Sequence, residues 1–279
     1  IGAVVFSLFF YFECNPRVAN YPEVFYDSGG KLLYPQTHVY FAEMILEGQN
    51  DEITLGSILP DMLNGRGINH YDSHSKGSEI YCFLKQHQVL PDFGKAVLTH
   101  GFVPRGLDYY GDEKYLDYEK GYCFEKARPF VLDTVEACNI PPEMGWWKAH
   151  NIVEMGIELI VSSSGDYSDK IKSAFTNHCL ISEVDDVLCE LFKLERYDFL
   201  KRVQRFAGLI EMEKAGAFSL AEKYRLQMRF RHQVEIDTKK VASLIERAAE
   251  SVSNELQDFF KTVGVLVKNN IHALVAQGC

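Results

Sequence analysis

The sequence lacks paired cysteines, basic runs and nucleotide-binding glycine loops, and each absence disfavours a class of protein. Its seven cysteines are an odd number, are scattered and form no Cys-x-x-Cys pair. We therefore predict reduced thiols, with neither a disulfide framework nor a cysteine-rich zinc site. The chain also contains no dinucleotide fingerprint, Walker loop, kinase signature or His-Asp dipeptide. These absences disfavour nucleotide-cofactor, kinase and HD-type phosphohydrolase chemistry.

The charge of the chain is weighted towards acid, with 39 acidic against 29 basic side chains and a net charge of −10. A surface of this sign repels nucleic acid and anionic membranes over most of its area, so we do not expect long nucleic acid as a partner. A phosphate-bearing substrate would need a local positive charge, which a bound divalent metal ion supplies.

Apolar residues recur at helical spacing along most of the chain, and strand patterns are few, so the sequence predicts an all-α, multi-helix fold. We expect three parts: an apolar segment over residues 1–33, a helical region over 34–165 and a C-terminal helical region over 166–279 packed on it. The first twelve residues are too few to span a bilayer, which takes about 20 residues. They are compatible with the end of a truncated signal or anchor and equally with upstream sequence joined to the domain. Residues 49–67 are predicted to form a loop because they contain Gly56 and Pro60.

Side chains of the kind that bind metal ions occur in the first 160 residues. His150 and Glu154 are four residues apart on one face of a predicted helix and can grip one ion, although a solvated ion pair has the same spacing. His100 lies in an apolar stretch predicted to be helical, where a hydrogen-bonded core histidine is the alternative. Asp61 follows a proline in the predicted loop, where an Asx turn or helix cap is the alternative.

The order of these motifs resembles the zinc-dependent phospholipase C-like family. The segments THVYFAEMIL, LGSILPDM, SH, THG…RGLD and HNIVEMGIE carry the resemblance over about residues 35–162. The wider superfamily includes bacterial phosphatidylcholine-hydrolysing enzymes and fungal single-strand nucleases. The resemblance implies three zinc ions and Asp61 as the base that activates water. It implies metal ligands at His38, Asp61, His74, His100, His150 and Glu154, with His70 as the alternative to His74.

The chain departs from the family pattern at two places. Pro104 stands where the family has an aspartate four residues after the mid-chain histidine, and no histidine occurs between His100 and His150. Asp108 or Asp112 can substitute, and we include Asp108 among the predicted ligands. These departures favour a mononuclear or dinuclear site over a trinuclear one.

The expected function is therefore zinc-dependent hydrolysis of a small phosphoester or a phospholipid head group, with one to three zinc ions that acidify water and Asp61 as proton acceptor. Two alternatives stay open. One is a non-catalytic helical protein that retains a partial metal site for structure or binding. The other is a membrane-peripheral module that uses the apolar start and the C-terminal apolar face of Leu256, Phe259, Phe260, Val263 and Val267, although a core helix has the same spacing.

Two further expectations concern the tyrosines and the compartment. The tyrosines at 109, 110, 115 and 118 could line a pocket for a choline-like cation, but we expect ordinary packing. Unpaired thiols favour the cytoplasm, whereas the resemblance and the apolar start favour a secreted or membrane-associated protein.

Overall fold

The structure, a computed structural model, describes residues 34–63, 68–193, 195 and 198–276. Within these ranges the regular elements are helices and no β-strand occurs, so the all-α prediction is confirmed. The predicted N-terminal segment, residues 1–33, lies outside the described residues. The helices are α1 (Pro35–Leu46), α2 (Asp51–Leu63), α3 (His70–Ser75), α4 (Gly77–His87), α5 (Pro91–Val97), a π-helix (Tyr109–Glu113), α6 (Tyr122–Ala127), α7 (Val131–Cys138), α8 (Gly145–Ser164), α9 (Tyr167–Thr176), α10 (His178–Phe192), α11 (Asp198–Ala207), α12 (Ala217–His232), α13 (Thr238–Val252) and α14 (Leu256–Ala276).

Two hydrophobic clusters hold these helices together. The first joins α1 and α8 to α12, α13 and α14, with Tyr224 and Phe260 among its largest buried side chains. The second joins α2, α4 and α5 to α9, α10 and α11 around Phe93 and Phe199. Both clusters combine residues from before and after position 165. The helices that carry the predicted ligands are therefore backed by the C-terminal helices, which fixes their positions by burial of apolar surface.

The predicted loop over residues 49–67 is wrong for its larger part, because residues 51–63 form α2. Eleven of its thirteen residues are buried. Pro60 removes one helical hydrogen bond, but packing against α5 compensates. Gly56 makes that packing possible, since a Cβ there would lie 2.4 Å from the carbonyl oxygen of Phe93. Asp61 thus sits in the last turn of a buried helix rather than in a loop.

One other local prediction also differs from the structure. The helix predicted to contain His100 ends at Val97, and His100 lies in the turns that follow.

His74 lies in the short helix α3. Its N-cap Asn69 accepts a hydrogen bond from the backbone N–H of Asp72 at 2.8 Å. This cap gives the segment a helical start that apolar periodicity alone does not reveal.

The cysteines follow the prediction only in part. Cys123, Cys138, Cys179 and Cys189 form no disulfide bond, but Cys82 is disulfide-bonded, so the expectation of reduced thiols is wrong at this position. Pairing depends on the distance between two cysteines in space, which their spacing along the chain does not give.

The apolar C-terminal face is part of the interior. Leu256, Phe259, Phe260, Val263 and Val267 are all buried in the first cluster, as expected for a core helix with this spacing. Tyr110 and Tyr115 belong to the same cluster, which confirms ordinary packing for these two tyrosines. No helix among the described residues is both long and apolar enough to cross a membrane.

Candidate metal centre

Five predicted ligands from five separate segments meet at one buried point. His38 comes from α1, Asp61 from α2, His74 from α3, His100 from the turn after α5, and Asp108 from the residue before the π-helix. We call them the five-residue cluster. Asp108 stands between the histidines, with Oδ1 3.4 Å from Nε2 of His38 and Oδ2 3.3 and 3.4 Å from Nε2 of His74 and His100. Oδ1 of Asp61 lies 3.4 Å from Nε2 of His74.

The distances within this cluster match the spacing of ligands around a tetrahedral ion. Zinc with bonds of about 2.0–2.1 Å places its ligand atoms about 3.3–3.4 Å from one another. Four of the facing atoms have no hydrogen-bond partner among the described residues, although all are buried: Asp61 Oδ1, His74 Nε2, His100 Nε2 and Asp108 Oδ2. Buried polar atoms are nearly always satisfied in native proteins, so a cation between these atoms is the partner that their chemistry fits.

Backbone carbonyls orient two of the imidazoles. Nδ1 of His74 lies 2.9 Å from the carbonyl oxygen of His70, and Nδ1 of His100 lies 2.5 Å from that of Ser57. A carbonyl oxygen can only accept a hydrogen bond, so in the neutral ring Nδ1 carries the proton as donor and the lone pair is on Nε2. This arrangement is typical of metal-binding histidines. The His38 ring stacks on His100 at 3.7 Å, which fixes its orientation as well.

A tightly folded loop explains how Asp108 reaches the cluster from eight residues beyond His100. The chain doubles back so that the N–H of Asp108 donates to the carbonyl of His100 at 2.8 Å. The loop also joins α3, since the N–H of Phe102 donates to the carbonyl of His74 at 2.7 Å. Two glycines permit this closeness. A Cβ at Gly101 would lie 2.1 Å from the oxygen of His74, and one at Gly106 would lie 2.6 Å from the oxygen of Thr99.

Glu158 holds the start of α1, where His38 is located. Its carboxylate accepts hydrogen bonds from the N–H groups of Gln36 and Thr37 at 3.0 and 2.8 Å and from the Thr37 hydroxyl at 2.6 Å. The first N–H groups of a helix have no partner within the helix, and a carboxylate at the N-terminus accepts their hydrogen bonds. It also faces the positive end of the helix dipole. Burial raises the pKa of Glu158 to about 7, against the opposing effect of these hydrogen bonds. Glu158 therefore positions α1.

The charges in the cluster depend on one another. Burial and the neighbouring His100 lower the pKa of His38 to about 3. Burial also opposes protonation of His74, but contacts with the carboxylates of Asp108 and Asp61 outweigh it and raise the pKa of His74 to about 9. Although burial raises the pKa values of Asp61 and Asp108, the surrounding histidines lower both, that of Asp108 well below its usual range. Both carboxylates are thus ionised at neutral pH.

Asp112, His150 and Glu154 supply a second set of candidate ligand atoms. These three atoms lie within 4.8 Å of one another. We call this set the carboxylate-rich group. His150 and Glu154 come from α8, with Nε2 and Oε2 3.6 Å apart. The His150 ring stacks on Phe124 at 4.1 Å. Asn151 donates a hydrogen bond to Oε2 of Glu154 at 3.1 Å.

Both sets of ligands contribute residues to the lining of one small cavity. His38 and Asp108 line it from the five-residue cluster and Glu154 lines it from the carboxylate-rich group, with Phe259 and Phe260 on an apolar side. Its volume is about 30 Å³, which is enough to hold water. The π-helix connects the sets, because Asp108 immediately precedes it and Asp112 lies within it.

The structure brings all seven predicted ligands into these two sets. His70 is in neither set, and it contacts His74 through its carbonyl oxygen. The predicted set omitted Asp112, whose signal in the sequence is its position four residues after Asp108. The role of Ser57 in orienting His100 was also missed. Ser57 acts through its backbone carbonyl, which every residue has, so its side chain gives no signal in the sequence. The role of the seven residues as ligands remains a prediction.

Comparisons of the chain with protein-family models, with curated proteins and with solved structures give no match, so nothing beyond the chain's own residues points to a phospholipase C-like family.

Proposed function

We propose that the protein is a metal-dependent hydrolase of phosphoesters, phospholipase C-like in its ligand order, with zinc in the five-residue cluster. The observation that supports it most is the set of buried nitrogen and oxygen atoms of Asp61, His74, His100 and Asp108 that face one another at 3.3–3.4 Å without hydrogen bonds among the described residues. Nitrogen and carboxylate donors of this kind suit zinc.

The residues of the chain have distinct tasks in this proposal. His38, His74, His100 and Asp108 would hold metal, and the two carboxylate oxygens of Asp108 face different histidines. When bound, zinc supplies Lewis-acid chemistry, which acidifies water at neutral pH and neutralises phosphate oxygens. Asp61 would hold metal and accept the proton of the attacking water. The lowered pKa of Asp61 keeps it ionised and available for that task at neutral pH.

The chemistry favours a small substrate. The net charge of −10 opposes the approach of long polyanions, whereas the positive charge of bound metal attracts a single phosphate group. A small phosphoester or a phospholipid head group is therefore the proposed substrate class.

A second candidate is a non-catalytic helical protein in which metal stabilises the fold. Its support is the burial of the cluster, since His74 and His100 are only 1% and 0% exposed. Structural metal sites are closed, whereas catalytic sites keep an open coordination position.

The deciding experiment measures metal and activity on the same preparations. Metal content by plasma mass spectrometry and hydrolysis of p-nitrophenyl phosphate, bis-p-nitrophenyl phosphate and phosphocholine esters are compared for wild type, His100→Ala and His150→Ala. His272→Ala, which changes an exposed histidine, is the matched control. We expect zinc in wild type and control, loss of that zinc in His100→Ala, less metal in total but retained zinc in His150→Ala, and hydrolysis that chelation abolishes and zinc restores.

The two candidates give different results. Zinc without hydrolysis of any ester, together with a large loss of thermal stability on chelation, would support the structural role. A folded wild type that neither contains nor takes up zinc would refute both.

A further inference from the structure

The two sets of ligands differ in the atoms that they offer to a metal. The five-residue cluster presents three imidazoles and two carboxylates, whereas the carboxylate-rich group presents one imidazole and two carboxylates. Imidazole nitrogen suits zinc, and carboxylate oxygen suits harder ions such as manganese or magnesium. The donor composition therefore changes from nitrogen-rich to oxygen-rich across a single cavity.

The oxygen-rich composition follows from Asp112, whose backbone is closely held. The N–H of Gly121 donates to the carbonyl oxygen of Asp112 at 3.0 Å, and a Cβ at Gly121 would lie 2.2 Å from the nitrogen of Asp112. Asp112 is itself buried, as are His150 and Glu154. A buried set of two carboxylates and one imidazole concentrates negative charge, and a divalent cation neutralises it.

The imidazole of this group is held in place too. Its stacking on Phe124 is secured because Nε1 of Trp146 donates to the carbonyl oxygen of Phe124 at 2.7 Å. The backbone of Asp112 and the ring of His150 are thus both held in place. A rigid set of donor atoms discriminates between metal ions better than a flexible one.

We propose that the centre is heterometallic: the five-residue cluster takes zinc, and the group of Asp112, His150 and Glu154 takes a harder divalent ion of the manganese class. This inference rests on the proposed function only in that the five-residue cluster binds metal. It predicts that the single residue Asp112 sets the preference, because a histidine at this position would make the donor set richer in nitrogen.

The test uses the full chain, stripped of metal with chelator and then given zinc in steps of one equivalent in the presence of excess Mn²⁺. Retained metals are counted by plasma mass spectrometry after desalting, and bound Mn²⁺ is identified by its electron paramagnetic resonance spectrum. We expect wild type to retain both zinc and manganese. In Asp112→His the ratio of manganese to zinc falls by about tenfold or more, the size typical of a change at a metal site.

Two further variants locate the manganese. Asp117→His introduces the same residue at an exposed position of the same segment, and it should retain the wild-type ratio. His150→Ala should lose manganese and keep zinc, which shows that the manganese is bound at α8.

Each other outcome is decisive. Zinc bound in wild type to the exclusion of manganese overturns the heterometallic centre and leaves the proposed function standing. Manganese that persists unchanged in both Asp112→His and His150→Ala is bound elsewhere and also overturns it. A wild type that retains no metal of either kind refutes the proposed function as well.

Discussion

The close contact at Gly101 provides a test of the site geometry that does not depend on a metal. In the variant Gly101→Ala the new methyl group would lie 2.1 Å from the oxygen of His74, 2.9 Å from its carbonyl carbon and 3.0 Å from its Cα. Carbon and oxygen in contact are normally about 3.3–3.6 Å apart. The two backbone segments must therefore separate by about 1 Å.

The cost of this separation has two parts. The hydrogen bond from the N–H of Phe102 to the carbonyl oxygen of His74, 2.7 Å long, lies beside the new methyl group, and its loss costs about 0.5–1.5 kcal/mol. Overpacking in a tight interior costs about 1–3 kcal/mol more. We expect the free energy of unfolding to fall by about 2–4 kcal/mol. Because His74 moves with its backbone, zinc affinity should fall too.

The assay is urea unfolding of the metal-free proteins, followed by zinc titration of the folded ones. The control is Gly111→Ala, since Gly111 is also buried beside the site but, of the residues that the structure describes, its Cβ would meet only Cys123, whose sulfur lies at an ordinary 3.7 Å. A Gly101→Ala variant as stable as the control, with zinc affinity like wild type, would refute the backbone packing described for this loop.

Three further predictions concern charge and burial. The pKa of Glu158 is about 7 in the folded chain against an ordinary 4.5, so stability should fall by up to about 3 kcal/mol as pH rises through this interval, because the folded state holds a proton that the unfolded state has lost. Urea unfolding at pH 5 and 7 should show that Glu158→Gln removes this dependence, and an equal slope in both proteins would contradict it. The pKa of His74 is about 9 without metal, so zinc binding at pH 7 should release a proton from this ring. Calorimetry in buffers of different ionisation enthalpy measures that release, and binding without it would be contrary to the prediction. The buried Arg202 donates to the carbonyl oxygen of Leu63 at 2.7 Å, so Arg202→Met should destabilise the chain by about 1–3 kcal/mol in chemical denaturation, whereas Arg205→Met, at an exposed position of α11, should leave stability within about 0.5 kcal/mol.

The sequence alone was sufficient for the fold class and for the choice of candidate ligands. Helical periodicity is a local property of the chain, and it correctly predicted the all-α class and the helix that carries His150 and Glu154. The spacing of His150 and Glu154 placed both on one helix face, because four residues make about one helical turn. Residue type limited the remaining candidates, since few side chains can bind a metal ion.

The predictions that failed depended on contacts between distant segments. Pro60 and Gly56 are loop signals in isolation, yet burial against α5 keeps their segment helical. Cys82 gave no sign of its disulfide, because the distance between two cysteines is a tertiary quantity. In each case the energy of packing outweighed a local preference.

The loop around Pro104 shows the same difference between local sequence signals and tertiary contacts at the candidate site. In the sequence, Pro104 stands where the family pattern has an aspartate, so the predicted site was incomplete. Asp108 lies eight residues after His100 instead of four, which is a different spacing. The tertiary structure folds this loop so tightly that the backbone of Asp108 bonds to that of His100, and the carboxylate reaches three histidines. The sequence determined which chemical groups the chain has, because these are properties of single residues. Only the tertiary structure decided which of them share one buried point, because long-range packing sets that distance.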